Sequence, residues 1–171
     1  WWVALERVVA ATDVVEAGID GNATRIDCST TTAKQAAFAR LHDWLRGLPG
    51  DTEVNREVST LCARYGVDED AISRELCMPW DELKLFADDP LVTIGAHTIS
   101  HGNLAKQSEA GALHEMRTSR TDLEAVLQRQ VVHLAYPYGD RNAAAAREFA
   151  LARTAGRDIG ELDLTVSTAL A

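Results

Sequence analysis

Leu91-Val92-Thr93-Ile94-Gly95-Ala96-His97-Thr98-Ile99-Ser100-His101 is the stretch on which the reading of this chain turns. Its first six residues form a short apolar run rich in β-branched side chains, the pattern of a strand buried on both faces. A polar segment carrying two histidines, four residues apart, begins where that run ends. In αβ folds the carboxyl ends of parallel strands are where sites are built.

Downstream, Ser108 can cap a long helix over 108–129, with Leu113, Met116, Leu123, Val126 and Leu127 on its inner face. Val131-Val132-His133-Leu134-Ala135-Tyr136 reads as a second buried strand, Pro137-Tyr138-Gly139-Asp140 as its exit turn, and 141–155 as another helix. One more strand fits 162–168. The order strand–loop–helix–strand–turn–helix is a βαβα unit of a parallel sheet or barrel.

Upstream the character is helical. Trp2, Leu5, Val8, Val9, Thr12 and Val15 recur at helical spacing over 1–16, although 14–19 can instead pair with 23–28 across the turn cluster Gly18, Asp20, Gly21 and Asn22. Further helices are expected over 33–47, from Asp51 or Thr52 to Tyr65 with Gly66 as the stop, over 69–76 capped by Asp68, and from Pro79 to about Ala87. The fold expected is α/β: a mostly helical insertion over 1–76, then a β/α segment over 77–171.

Composition narrows the function. The 171 residues are 46% hydrophobic and 25% charged, ordinary for a globular domain. A net charge of −9 gives a phosphate backbone no electrostatic footing, so no nucleic-acid partner is expected. Cys28, Cys62 and Cys77 form no C-x-x-C pair and read as free thiols. No apolar run approaches the roughly 20 residues that span a bilayer, and no basic stretch with an apolar core opens the chain. Trp1 stands where an initiator methionine would, so the chain reads as processed or cut from something longer, and the compartment stays open.

His97 and His101 share one face if the residues between them make a single helical turn. Neutral imidazoles so placed can meet one cation, with zinc at about 2.0–2.1 Å. Two histidines at this spacing are common by chance, and their place after a buried strand is what sets these apart. The zincin pattern is excluded, because Thr98 occupies the position of the base glutamate. In Tyr136-Pro137-Tyr138-Gly139-Asp140 the proline holds its predecessor extended and the glycine permits a sharp turn, which can aim the Tyr138 N–H at an oxyanion. Asp140 can also simply cap the helix 141–155. His42 and His114 are expected to be solvated, His133 packed and hydrogen-bonded, Trp44 in the core and Trp80 packed at a helix start.

Trp80-Asp81-Glu82-Leu83, Val92 through His101, and Leu134-Ala135-Tyr136-Pro137-Tyr138-Gly139 together resemble the polysaccharide deacetylase family, the NodB-homology domain of carbohydrate esterase family four. The resemblance covers about 77–156, a little under half the chain, and the helical part looks like an insertion found in some bacterial members. It implies a distorted (β/α) barrel, here partial, and a hydrolase that removes acetyl groups from sugars of a polysaccharide or oligosaccharide. It implies a divalent metal, zinc first and cobalt or manganese next, with His97 and His101 as ligands. Tyr138 matches the family's oxyanion-binding position, and Tyr136, Pro137 and Tyr138 its substrate contacts.

The departures are equally definite. No Thr-Phe-Asp-Asp segment supplies the family's catalytic base and third ligand; Asp88-Asp89 ends a helix before a proline and is no substitute. Ala135 stands where the family often has arginine, and no histidine follows His133 to make the late Leu-x-His motif. The chain therefore reads as a truncated or degenerate relative, inactive by itself, with exposed sheet edges that favour self-association. The rival readings are a non-catalytic carbohydrate-binding or interaction module and a purely structural helical protein.

Overall fold

The computed structural model describes residues 1–138. These fall into two units, Trp1–Cys77 and a second that begins at Met78. The turn residues Gly139 and Asp140, the helix expected over 141–155 and the strand expected over 162–168 lie outside the described residues.

The first unit runs α1 (Trp2–Ala11), β1 (Val14–Ile19), β2 (Asn22–Asp27), α2 (Thr31–Gly47), α3 (Asp51–Tyr65) and α4 (Glu69–Leu76). Helical spacing suggested that α1 continues to residue 16, and the structure corrects this. Thr12 is extended, and Val14 and Val15 pair across the hairpin with Asp27 and Ile26. Lys34 makes the early stop possible, because its ammonium donates to the carbonyls of Val9, Ala10 and Thr12 at 3.0, 2.8 and 3.0 Å. A cation over the last turn satisfies orphan acceptors and favours the helix dipole. Asp20 and Gly21 turn the hairpin with φ of 51° and 79°, the positive pair that a two-residue connection between twisted strands requires.

Caps set the remaining boundaries. Thr30 accepts from Ala33 N at 3.1 Å and Asp68 from Ala71 N at 2.9 Å. Asp51 and Thr52 do not cap α3; Gly50 holds that position without a side-chain bond, and Asp51 lies inside the first turn, where a carboxylate suits the dipole. Gly66 closes α3 at φ 70°, a conformation glycine adopts without penalty. The core gathers Leu5, Val8 and Val9 from α1, Val15 and Ile26 from the hairpin, Leu41 and Leu45 from α2, and Val58, Leu61 and Cys62 from α3. Each large aliphatic side chain buried there contributes about 1.5–3 kcal/mol. Burial pushes the Cys62 thiol up to about 11, which keeps it protonated and inert at neutral pH. His42 is not solvated as expected. It is half-buried and stacks between Trp1 and Phe38, with ring centroids 5.2 and 5.7 Å away.

The second unit holds α5 (Trp80–Ala87), a single 3₁₀ turn (Leu104–Lys106) and α6 (Glu109–Leu127), capped as expected by Ser108, whose hydroxyl accepts from Gly111 N. Trp80 is 54% exposed and does not pack at its helix start. The expected strands 91–96 and 131–136 are reduced to one parallel bridge, Ala96 to Leu134. A parallel pair is stabilised by flanking strands and by layers on both faces, and the described residues of this unit contain no other strand. The sheet among the described residues is thus the two-stranded antiparallel hairpin β1–β2, and a barrel is not formed by them.

A small core of Ala96, Leu104, Ala112, Met116, Val131 and Leu134 closes the second unit. The inner face of α6 also buries Arg120, whose Nε donates to Glu124 Oε1 at 2.9 Å; the same oxygen accepts from Val131 N at 2.9 Å. Burial raises the Glu124 carboxyl, but the Val131 N–H and the Arg120 hydrogen bond and charge outweigh it and leave it below its usual value.

Two outcomes follow for stability. Leu41→Ala opens a cavity at a fully buried position and should destabilise the first unit by about 2–5 kcal/mol in urea titration. A carboxyl with a lowered folded pKa adds stability that is complete above its unfolded value and lost as pH falls through the folded one. The second unit should therefore weaken as pH drops below 4.5, and Glu124→Gln should flatten that acid limb when unfolding is followed from pH 7 to pH 3.

Candidate functional site

Gly95 and Ala96 deliver His97 to its place. Ala96 N donates to His133 O at 2.8 Å, and Ala135 N donates to Ala96 O at 2.9 Å. These two bonds bring the end of the first motif alongside the segment leading to Pro137. Glycine at 95 eases the approach, since a Cβ there would lie a tight 3.2 Å from His133 Cβ and 3.3 Å from its carbonyl oxygen. A cavity of about 460 Å³ opens beside the bridge, lined by Thr93, Gly95, Ala96, His97, His133, Leu134 and Ala135.

The residues from His97 to His101 do not make the helical turn that spacing suggested. Thr98 and His101 both adopt left-handed backbone, with φ of 69° and 54°. Such geometry costs about 1–3 kcal/mol per non-glycine residue and clusters at functional sites. The loop nonetheless brings the rings together: His97 and His101 stand edge to face with centroids 4.7 Å apart. Tyr138, far away in sequence, joins them with its ring 5.4 Å from that of His101. Tyr138 is itself left-handed at φ 67° and half-buried, beside a buried Pro137 and a half-buried Tyr136. His97, His101 and Tyr138 therefore meet in one place. Pro137 and Tyr136 directly precede Tyr138, Tyr136 packing against the small core of Ala96, Met116 and Leu134, whereas His114 lies exposed on α6.

His97 Nδ1 lies 3.0 Å from Ala135 O. A carbonyl only accepts, so Nδ1 must carry the proton, and the Nε2 lone pair is left to a ligand or cation. This backbone-held tautomer is the usual arrangement of a metal-binding histidine. The donor set thus fits a borderline-soft divalent cation at two coordination positions. No group of three His, Cys, Asp or Glu side chains able to hold a metal occurs among the described residues. Asp89 is occupied elsewhere, accepting from Leu91 N at 2.9 Å.

Sequence reasoning missed Glu115. Its Oε2 accepts from Ile99 N and Ser100 N at 2.8 and 2.9 Å, and its Oε1 from Ser100 Oγ at 2.9 Å. No local pattern named it: the face it borders, with Ala112 and Ser119 buried one turn away, is set by small and polar residues that the apolar spacing did not mark. Thr98 Oγ1 is also buried, with no hydrogen-bond partner among the described residues.

A family model described as polysaccharide deacetylase matches residues 52–156. The match starts within α3, well before the motif-bearing stretch that begins near 77. No curated protein and no solved structure shows a significant match to the chain.

Because the bridge needs close backbone approach, Gly95→Ala should destabilise the second unit by about 1–3 kcal/mol. Amide exchange at Ala96 and Ala135 should accelerate with it. Retained protection at both amides would show that the bridge tolerates the methyl group.

Proposed function

This chain belongs to the polysaccharide deacetylase family, hydrolases of carbon–nitrogen bonds other than peptide bonds, and from that premise we propose a metal-dependent removal of acetyl groups from the sugars of a polysaccharide or oligosaccharide. The observation that carries the proposal is the meeting of His97, His101 and Tyr138, residues from two separate motifs, with ring separations of 4.7 and 5.4 Å. No helix among the described residues is long and apolar enough to cross a membrane.

His97 and His101 would hold the cation, zinc before cobalt or manganese given two imidazole donors. A cation bound there supplies Lewis acidity toward an acetyl carbonyl and lowers the pKa of water. The chain's own residues do the rest of what it contributes. Ala135 O fixes the His97 ring and its tautomer. Pro137 and the left-handed Tyr138 set the direction of the Tyr138 N–H, which would donate to the oxyanion of the attacked acetyl group. The rings of Tyr136 and Tyr138 would border the sugar.

The set is incomplete within these 171 residues, which hold no Thr-Phe-Asp-Asp segment and no late Leu-x-His motif. We read them as a partial barrel segment with a helical insertion, the base and third ligand coming from residues outside them. A non-catalytic carbohydrate-binding module is the second reading, favoured by the two-ligand donor set.

Elemental analysis of the purified protein beside a His97→Ala/His101→Ala variant decides between them. About one zinc, cobalt or manganese per chain, lost in the variant, with acetate released from an acetylated glucosamine oligomer by the full-length protein, is the expected result. Oligomer binding that ignores both chelator and variant would select the module instead.

A further inference from the structure

The loop that presents both histidines has a left-handed residue at Thr98 and another at His101, and the two residues between them are tied to a single side chain. That side chain is Glu115 on α6. One of its oxygens takes the successive amides of Ile99 and Ser100 at 2.8 and 2.9 Å, and the other takes the Ser100 hydroxyl at 2.9 Å. Two consecutive N–H groups converging on one oxygen make a small anion-binding concavity. Here the anion is supplied by the chain itself, from a helix whose opposite end is anchored to Val131 through Glu124.

We propose that Glu115 is a positioning residue for the histidine pair: its carboxylate holds the 97–101 loop in the strained shape that sets His101 edge-on to His97. The proposal rests on reading that pair as cation ligands. Three charge-assisted hydrogen bonds are short and directional, and all three fall on residues between the two histidines. Without them the backbone of Ile99 and Ser100 would relax, and the left-handed turn at His101 would go with it. Glu115 itself is committed to the loop, so it orients ligands and is not one of them.

The test uses the full-length protein with Glu115→Ala, Glu115→Gln, Glu115→Asp and His97→Ala. Zinc affinity is measured by competition titration, geometry by the visible spectrum of the cobalt-loaded protein, and the loop by amide exchange at Ile99 and Ser100. Glu115→Ala should weaken zinc about 10–100-fold, the usual effect of losing a group that orients a ligand. It should also shift the cobalt spectrum and expose both amides. Glu115→Gln, whose amide oxygen can take the same two N–H groups, should recover most of the affinity. Glu115→Asp keeps the charge but falls short of the loop; it should behave like alanine, and it serves if alanine fails to fold. Zinc binding within twofold of the wild type in both Ala and Asp variants, with the two amides still protected, would overturn the proposal. If His97→Ala binds zinc as well as the wild type, the ligand reading fails instead. The exchange data then still decide whether Glu115 holds the loop, and unchanged protection would overturn that too.

Discussion

Ala96 gives its amide to His133 O at 2.8 Å and takes the amide of Ala135 at 2.9 Å, and the meeting of the two motifs in the second unit depends on that exchange. Because the bridge is parallel, His97 and Ala135 both leave it on the same side. Because Ala135 is the next residue after the bridge, its carbonyl lies where His97 Nδ1 can donate to it. One backbone pairing thus fixes the register between two motifs and the tautomer of a histidine. It is also a thin support, since two hydrogen bonds without flanking strands contribute only about 0.5–1.5 kcal/mol each.

Helix α6 supplies what the bridge lacks. Glu115 grips the loop after Ala96, and Glu124 grips the segment before Leu134 through the Val131 amide. Met116, between them, packs into the same small core as Ala96 and Leu134. The helix works as a stave with one carboxylate for each segment that converges on the site. Arg120, buried between the two, accounts for the depressed Glu124 carboxyl together with the Val131 N–H. Charged residues on an inner helix face are costly unless satisfied, and here their satisfaction is what orders the loops.

Much of this was legible. The caps at Asp68 and Ser108, the glycine stop at Gly66 and the hairpin turn follow from side chains acting within a few residues of themselves. The histidine pair and the Pro137 turn were legible because sharp motifs name them. Features set by distant contacts were not. The end of α1 depends on Lys34 reaching from α2, a contact no local pattern encodes. The apolar runs 91–96 and 131–136 look like strands, yet strand formation is settled by neighbours, and one bridge is what the described neighbours allow. Trp80 was expected to be packed and is exposed, because the first turn of α5 presents it to solvent.

The loop from His97 to His101 shows why such a site needs outside help. Left-handed backbone is ordinarily handed to glycine, which adopts it without steric cost. At residue 101 that solution is closed on the proposed reading, in which the imidazole is a cation ligand. A left-handed turn built on a histidine retains its strain, and it persists only where surrounding bonds over-determine it. Ile99 and Ser100 cannot provide those bonds themselves, since their amides point to Glu115. The strain therefore has to be held from α6, and the helix that closes the core is also the part that shapes the site.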